Sequence, residues 1–188
     1  MEGNINLKCI SLFSKPASTV KPVAKVSLVD LSKLIIGDQY KQVTEELRSF
    51  ENPNAKRDYK SKNFDYFTGS GIFPYRADDA LKYHSGYIVF DFDNLEGDLK
   101  ETMAKLITDA KLYVLLMFVS PSGNGLKVIY GIDLSQGGHR KWFKAISNYL
   151  RETYNLEADP SGINVSRTCF LAHDPKCYVC KEIKELIV

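Results

Sequence analysis

Residues 112–119 and 126–132 are two apolar runs of strand length, separated only by Ser120-Pro121-Ser122-Gly123-Asn124-Gly125. Short continuous apolar runs bounded by small polar residues read as buried strands, and the serine and glycine chemistry between them is that of a β-hairpin turn. A third run of the same kind covers residues 87–92, and Leu99, Met103, Leu106 and Ile107 then mark one face of a helix. A chain with this hairpin and this strand-to-helix succession is committed to an α/β or α+β fold with a mixed sheet.

The rest of the chain adds both element types. Alternating apolar positions over residues 6–13 predict a strand, and Lys15-Pro16 and Lys21-Pro22 end it. Residues 30–50 are helical in character, with Asp30 as a cap and Gly37-Asp38 as an interruption. Residues 64–68 read as a strand followed by a Gly69-Ser70-Gly71 loop, and residues 76–83 as one or two helical turns. His139, Trp142, Phe143, Ile146, Tyr149, Leu150 and Tyr154 fall at amphipathic helical spacing. Residues 165–171 predict a last core strand and residues 181–186 a short helix.

At 188 residues with 44% hydrophobic content, the chain is sized for one domain with one core. Its formal net charge of +2 excludes a protein that coats nucleic acid through global charge, so any such contact must be local. Cys9, Cys169, Cys177 and Cys180 are irregularly spaced, with no apolar leader, which points to a reducing cytoplasm. No apolar stretch approaches the ~20 residues of a membrane-crossing helix.

Three constellations carry chemistry. In Tyr87-Ile88-Val89-Phe90-Asp91-Phe92-Asp93-Asn94, two carboxylates two residues apart share one face of a strand. Their mutual repulsion is relieved by a hard divalent cation such as Mg or Mn; the alternative is a solvated strand end. The hairpin segment ends in Gly125-Leu126-Lys127, and its backbone amides, serine hydroxyls and lysine can cradle a phosphate, or form a plain turn. Asp159 precedes Arg167 by eight residues, a potential metal ligand followed by a phosphate clamp, or a capped turn. Cys169, His173, Cys177 and Cys180 have zinc-like spacing, but the first two belong to a strand and its exit, so zinc is not expected. His139 reads as a surface or capping residue and His84 as structural.

Taken in order, Val89-Phe90-Asp91-Phe92-Asp93, the segment Ser120 through Lys127, and Asp159 through Arg167 resemble the three motifs of archaeo-eukaryotic primase-polymerase domains. The resemblance is greatest to the primase-like domain at the N-terminus of virulence-associated-E-type proteins, to which Thr68-Gly69-Ser70-Gly71-Ile72-Phe73 and Ser166 through Pro175 are also similar. It implies an RRM-like mixed or antiparallel sheet packed with a second α/β unit, the active site lying between them. It also implies that residues 1–188 are one domain, the N-terminal part of a longer protein from a mobile element or phage-like replication system.

By the resemblance, Asp91, Asp93 and Asp159 would be the catalytic residues and hold two metal ions, Mg or Mn. Ser120, Ser122, Gly123, Asn124, Gly125, Lys127 and Arg167 would bind the nucleotide. Nucleotide triphosphates, a single-stranded DNA template and a superfamily-3-type helicase in cis or trans would be partners. Lys127 departs from the family, many of whose members carry histidine there; a lysine still offers a cation but no neutral donor or acceptor. A cleft edged by Lys56, Arg57, Lys60, Lys62 and Arg76, with Tyr59, Phe73 and Tyr75 for stacking, would take the strand. The rival expectation is a catalytically inactive nucleic-acid or nucleotide-binding module serving a helicase. A nicking enzyme is disfavoured because the chain has no His-x-His.

Overall fold

The structure, a computed structural model, describes residues 8–186. The chain begins with β1 (Ile10–Phe13), β2 (Ala24–Val26), α1 (Leu28–Ile36), α2 (Lys41–Ser49), α3 (Pro53–Asn63) and β3 (Tyr66–Thr68). A small antiparallel pair follows, β4 (Gly71–Ile72) with β5 (Tyr83–His84). Next come β6 (Tyr87–Phe92), α4 (Leu99–Thr108), β7 (Val114–Val119), β8 (Leu126–Gly131) and α5 (His139–Tyr154). The chain closes with β9 (Cys169–Phe170), β10 (Tyr178–Val179) and α6 (Lys181–Lys184).

Local chemistry sets the helix ends. Ser27 accepts from the Asp30 amide at 3.2 Å while Asp30 accepts from the Ser27 amide at 3.0 Å, a capping box. Asp30 is thus the third helical residue, and Ser27 is the cap. Leu28, Leu31 and Ile35 make the buried stripe of α1. Asn52 caps α3 through the amides of Asn54 and Ala55, with Pro53 in the first turn. α3 has no fully buried residue: Arg57 and Lys62 are exposed, and Lys56 and Lys60 are half-buried.

The strands form two four-stranded sheets, ordered β2-β1-β3-β9 and β10-β7-β8-β6. The fold is α+β, and every pairing among the described residues is antiparallel, where the sequence pointed to a mixed sheet. The reason lies in the second sheet. The connection through α4 leaves β6 and β7 parallel, but β8 lies between them and pairs antiparallel with both, a split β-α-β.

The predicted strand over residues 6–13 begins at Ile10, and residues 6 and 7 lie outside the described residues. The strand over residues 165–171 contracts to Cys169–Phe170, because a 3-10 turn at Pro160–Ile163 is followed by a further turn closed by Arg167 N to Asn164 O at 3.1 Å. The helical turns over residues 76–83 reduce to Asp78–Ala80, with Tyr83 entering β5.

Alternation along β6 divides the interior. Ile88, Phe90 and Phe92 pack with Met117, Val128 and Tyr130 beneath Phe143, Ile146 and Leu150 of α5. Tyr87 and Val89 face the other way, where Leu116, Phe118 and Ile129 meet α1 and Phe67 of the first sheet. Asp91 follows Tyr87 and Val89 on that second face, so the pleat itself aims the first carboxylate toward the junction of the two sheets. Among the described residues no helix is long and apolar enough to cross a membrane.

Candidate functional site

The register of β6 on β8 places Asp91 directly opposite Lys127 and Phe92 opposite Leu126. Cross-strand partners share a face, and Lys127 Nζ donates to Asp91 Oδ2. The lysine side chain is only 5% exposed and the aspartate 18%. Burial raises the Asp91 pKa despite the adjacent ammonium. For Lys127 burial is the largest influence and acts to lower the pKa, but the charge and hydrogen bond of Asp91, joined by Cys169 and Asp93, together outweigh it and the net shift is upward, so the lysine keeps its proton at neutral pH.

Asp159 reaches the same place by closing on the free edge of β6: its amide donates to the Asp91 carbonyl at 2.8 Å. Its carboxylate is already engaged. Oδ1 accepts from Ser161 N at 2.9 Å and Ser161 Oγ at 2.6 Å, and Oδ2 accepts from Arg167 Nη2 at 2.6 Å. Burial pushes its pKa up, but the Ser161 hydrogen bonds and the Arg167 guanidinium hold it below the usual carboxylate value.

The hairpin turn is pinned from both sides. Arg48 of α2 donates to the carbonyls of Ser120 and Pro121, each at 3.2 Å, and Asn124 is tied to Asn94 at 2.7 Å. Gly123 adopts φ +87°, open to glycine, under the Arg48 side chain. Sequence reasoning missed Arg48, which lies outside every motif.

These elements border one open cleft of ≈ 880 Å³. Asp91, Asp93, Ser122, Asn124, Lys127, Asp159 and Arg167 all line it, as do Lys56, Arg57, Lys60 and Arg76. The cleft thus gathers six lysines and arginines against four carboxylates, Glu51 being the fourth. Lys60 is pushed down in pKa by burial and by the neighbouring Lys127 charge.

Not every expected residue is there. Ser120, Gly123 and Gly125 are not among the residues that line the cleft: Ser120 is 2% exposed and meets Arg48 through its carbonyl, and Gly123 and Gly125 sit where the backbone is turned or closely approached. Phe73 is 1% exposed and offers no free ring, and Tyr59, which packs on Phe50, lies outside the cleft with Tyr75 and Lys62. Phe170 does line it, with Lys60 Nζ 5.6 Å from its ring centroid.

Asp91 Oδ1 is buried with no hydrogen-bond partner, and Asp93 lines the cleft beside it. An orphaned carboxylate oxygen next to a second carboxylate suits a hard divalent cation, so Mg or Mn fits Asp91 with Asp93. Asp159 does not complete the set, and among the described residues no group of three or more His, Cys, Asp or Glu side chains is arranged to hold a metal ion. Cys169 lies in the first sheet and Cys177 and Cys180 flank β10 in the second, while His173 Nδ1 hydrogen-bonds Gly37 O at 2.9 Å.

His139, expected to be a surface or capping residue, is the first residue of α5 but is 8% exposed and belongs to a relay that anchors the Asp159 turn. Gly86 N donates to His84 Nδ1 at 3.0 Å, which leaves the His84 proton on Nε2 to be shared with His139 Nδ1 at 3.1 Å. His139 Nε2 then donates to Gly162 O at 3.1 Å. Each proton position fixes the next, and a second proton on either ring breaks a link. Burial, reinforced by His139 and Lys8, pushes the His84 pKa down to about 4, and burial also lowers that of His139. Folded values below the unfolded ~6.5 mean that the stabilisation is complete above pH ~6.5 and is lost as pH falls toward 4. Urea unfolding at pH 7 and pH 5 should show a drop of about 1–2 kcal/mol, discounted for the partial exposure of His84. The drop should shrink in His84→Gln; an equal drop in that variant would remove the relay from the account.

An α+β domain with a cation-rich cleft around paired carboxylates is the class that fold and site define. A family model described as the BT4734-like N-terminal domain matches residues 58–179, and the chain belongs to that family. The matched segment contains Asp91, Asp93, Lys127, Asp159 and Arg167, whereas Arg48 precedes it. No curated protein and no solved structure matches the chain.

Proposed function

We propose that the chain is a primase-polymerase-like nucleotidyltransferase domain acting on DNA, its RRM-like sheet being the one that carries β6 and β8. The observation that carries the reading is the meeting of Asp91, Asp93, Asp159, Lys127 and Arg167 in one cleft, although they come from three separate stretches of sequence. Asp91 and Asp93 would hold a divalent cation, which when bound would supply neutralisation of phosphate charge and would lower the pKa of an attacking 3′-hydroxyl. The chain's own residues do the rest by position and charge. Arg167 offers its remaining guanidinium donors to a triphosphate, Ser122 and Asn124 meet it from the turn, and Lys56, Arg57 and Lys60 run along the wall where a template phosphate backbone would lie.

A second reading, a binding module serving a helicase, is favoured by one observation: Lys127 and Arg167 already neutralise two of the carboxylates. Primer synthesis on single-stranded DNA with nucleotide triphosphates and Mn2+ separates the two. The transferase reading expects product from the wild type and none above background from Asp93→Ala. Template binding without product from either protein would leave the binding module.

A further inference from the structure

We propose that the cleft holds one divalent cation, on Asp91 and Asp93, and that Lys127 and Arg167 are built-in cations standing where a second ion would otherwise be needed. This rests on the transferase reading above and narrows it from the two ions that the resemblance implies.

The carboxylate oxygens can be followed one by one. Asp91 Oδ2 accepts from Lys127, which comes from the directly opposed position on β8 and is 5% exposed. A buried ammonium so enclosed has no hydrated position to retreat to while its strand stays paired. Both oxygens of Asp159 are spent, one on Ser161 and the other on Arg167. What remains among the three aspartates is Asp91 Oδ1, buried and unpartnered, together with the Asp93 carboxylate. Two such donors serve one hard cation that fills its remaining positions with water or phosphate oxygen.

A second ion between Asp91 and Asp159 would need oxygens already held by Lys127 and Arg167, and it would lie against the two cations it displaced. Arg167 is 47% exposed and uses one nitrogen on Asp159, so its other donors can spread positive charge along a triphosphate as a second metal would. Asp159 on this account is a positioning residue for Arg167.

The test counts and locates Mn2+. Free Mn2+ is titrated by electron paramagnetic resonance against the wild type, Asp93→Asn and Asp159→Asn. Bound Mn2+ is then located by anomalous scattering in crystals soaked with Mn2+ and a non-hydrolysable nucleoside triphosphate. Expected are one protein-bound ion in the wild type, affinity weakened at least about tenfold in Asp93→Asn, and Mn2+ affinity within about twofold of wild type in Asp159→Asn. Asp159→Asn should still weaken triphosphate binding by about tenfold, a split between metal and nucleotide that loss of folding would not give. Two protein-ligated ions, or loss of an ion in Asp159→Asn, would overturn the inference and leave the transferase reading standing. No bound Mn2+ in the wild type would sink the metal centre and this inference with it.

Discussion

Asp91→Asn should lower the stability of the folded chain by about 3–5 kcal/mol in urea unfolding, more than Lys127→Met, because it strands a buried ammonium. The asymmetry follows from exposure. Lys127 at 5% has no route to water, whereas Asp91 at 18% opens on the cleft and can be hydrated or take a proton, toward which burial already biases it. Lys127→Met should therefore cost only about 1–2 kcal/mol. The double variant Asp91→Asn with Lys127→Met should return to within about 1 kcal/mol of wild type, since a neutral pair of similar volume removes both desolvation penalties at once. If Asp91→Asn proved no more harmful than Lys127→Met, the ammonium would not be the trapped partner, and the description of the pair as fixed by the β6 and β8 register would fail.

That pair also shows where sequence reading stops. β6, β7 and β8 were legible because both their faces are covered, which writes them as continuous apolar runs. α5 was legible because His139, Phe143, Ile146 and Leu150 keep one buried stripe. α3 left no such trace: it has no fully buried residue and so no apolar stripe, and only its cations Lys56, Arg57, Lys60 and Lys62 stood out. β2, β9 and β10 are two or three residues long and take their identity from partners elsewhere in the chain. Asp91, Asp93 and Asp159 could be nominated from local pattern, and the cleft does gather them. Which side chains pair could not, because the pairing of Asp91 with Lys127 spans 36 residues and that of His84 with His139 spans 55. A sheet register and a strand edge decide such pairings, and neither is a local property of sequence.

Gly125 joins register to site most directly, and Gly125→Ala should cost about 3 kcal/mol. A β-carbon there would lie 2.1 Å from the Phe92 carbonyl oxygen and 3.3 Å from the Asp93 α-carbon. Both are backbone atoms, so no side-chain rotation relieves the overlap, and β6 and β8 must part at the Phe92 to Leu126 pairing. The melting temperature should fall by about 6–12 °C for a domain of this size. Gly138→Ala is the matched control: it has an ordinary φ of −75°, an added methyl meets nothing within 4 Å, and the change should cost no more than about 1 kcal/mol, the preference for glycine over alanine at the N-cap of α5. The consequence for the site separates this from a simple packing defect. Parting the strands at Phe92 moves Asp93 away from Asp91, so Gly125→Ala that still folds below its lowered melting temperature should bind Mn2+ more weakly than Gly138→Ala. Equal Mn2+ affinity in the two variants would show that the close approach of β8 to the end of β6 has no part in setting the carboxylates.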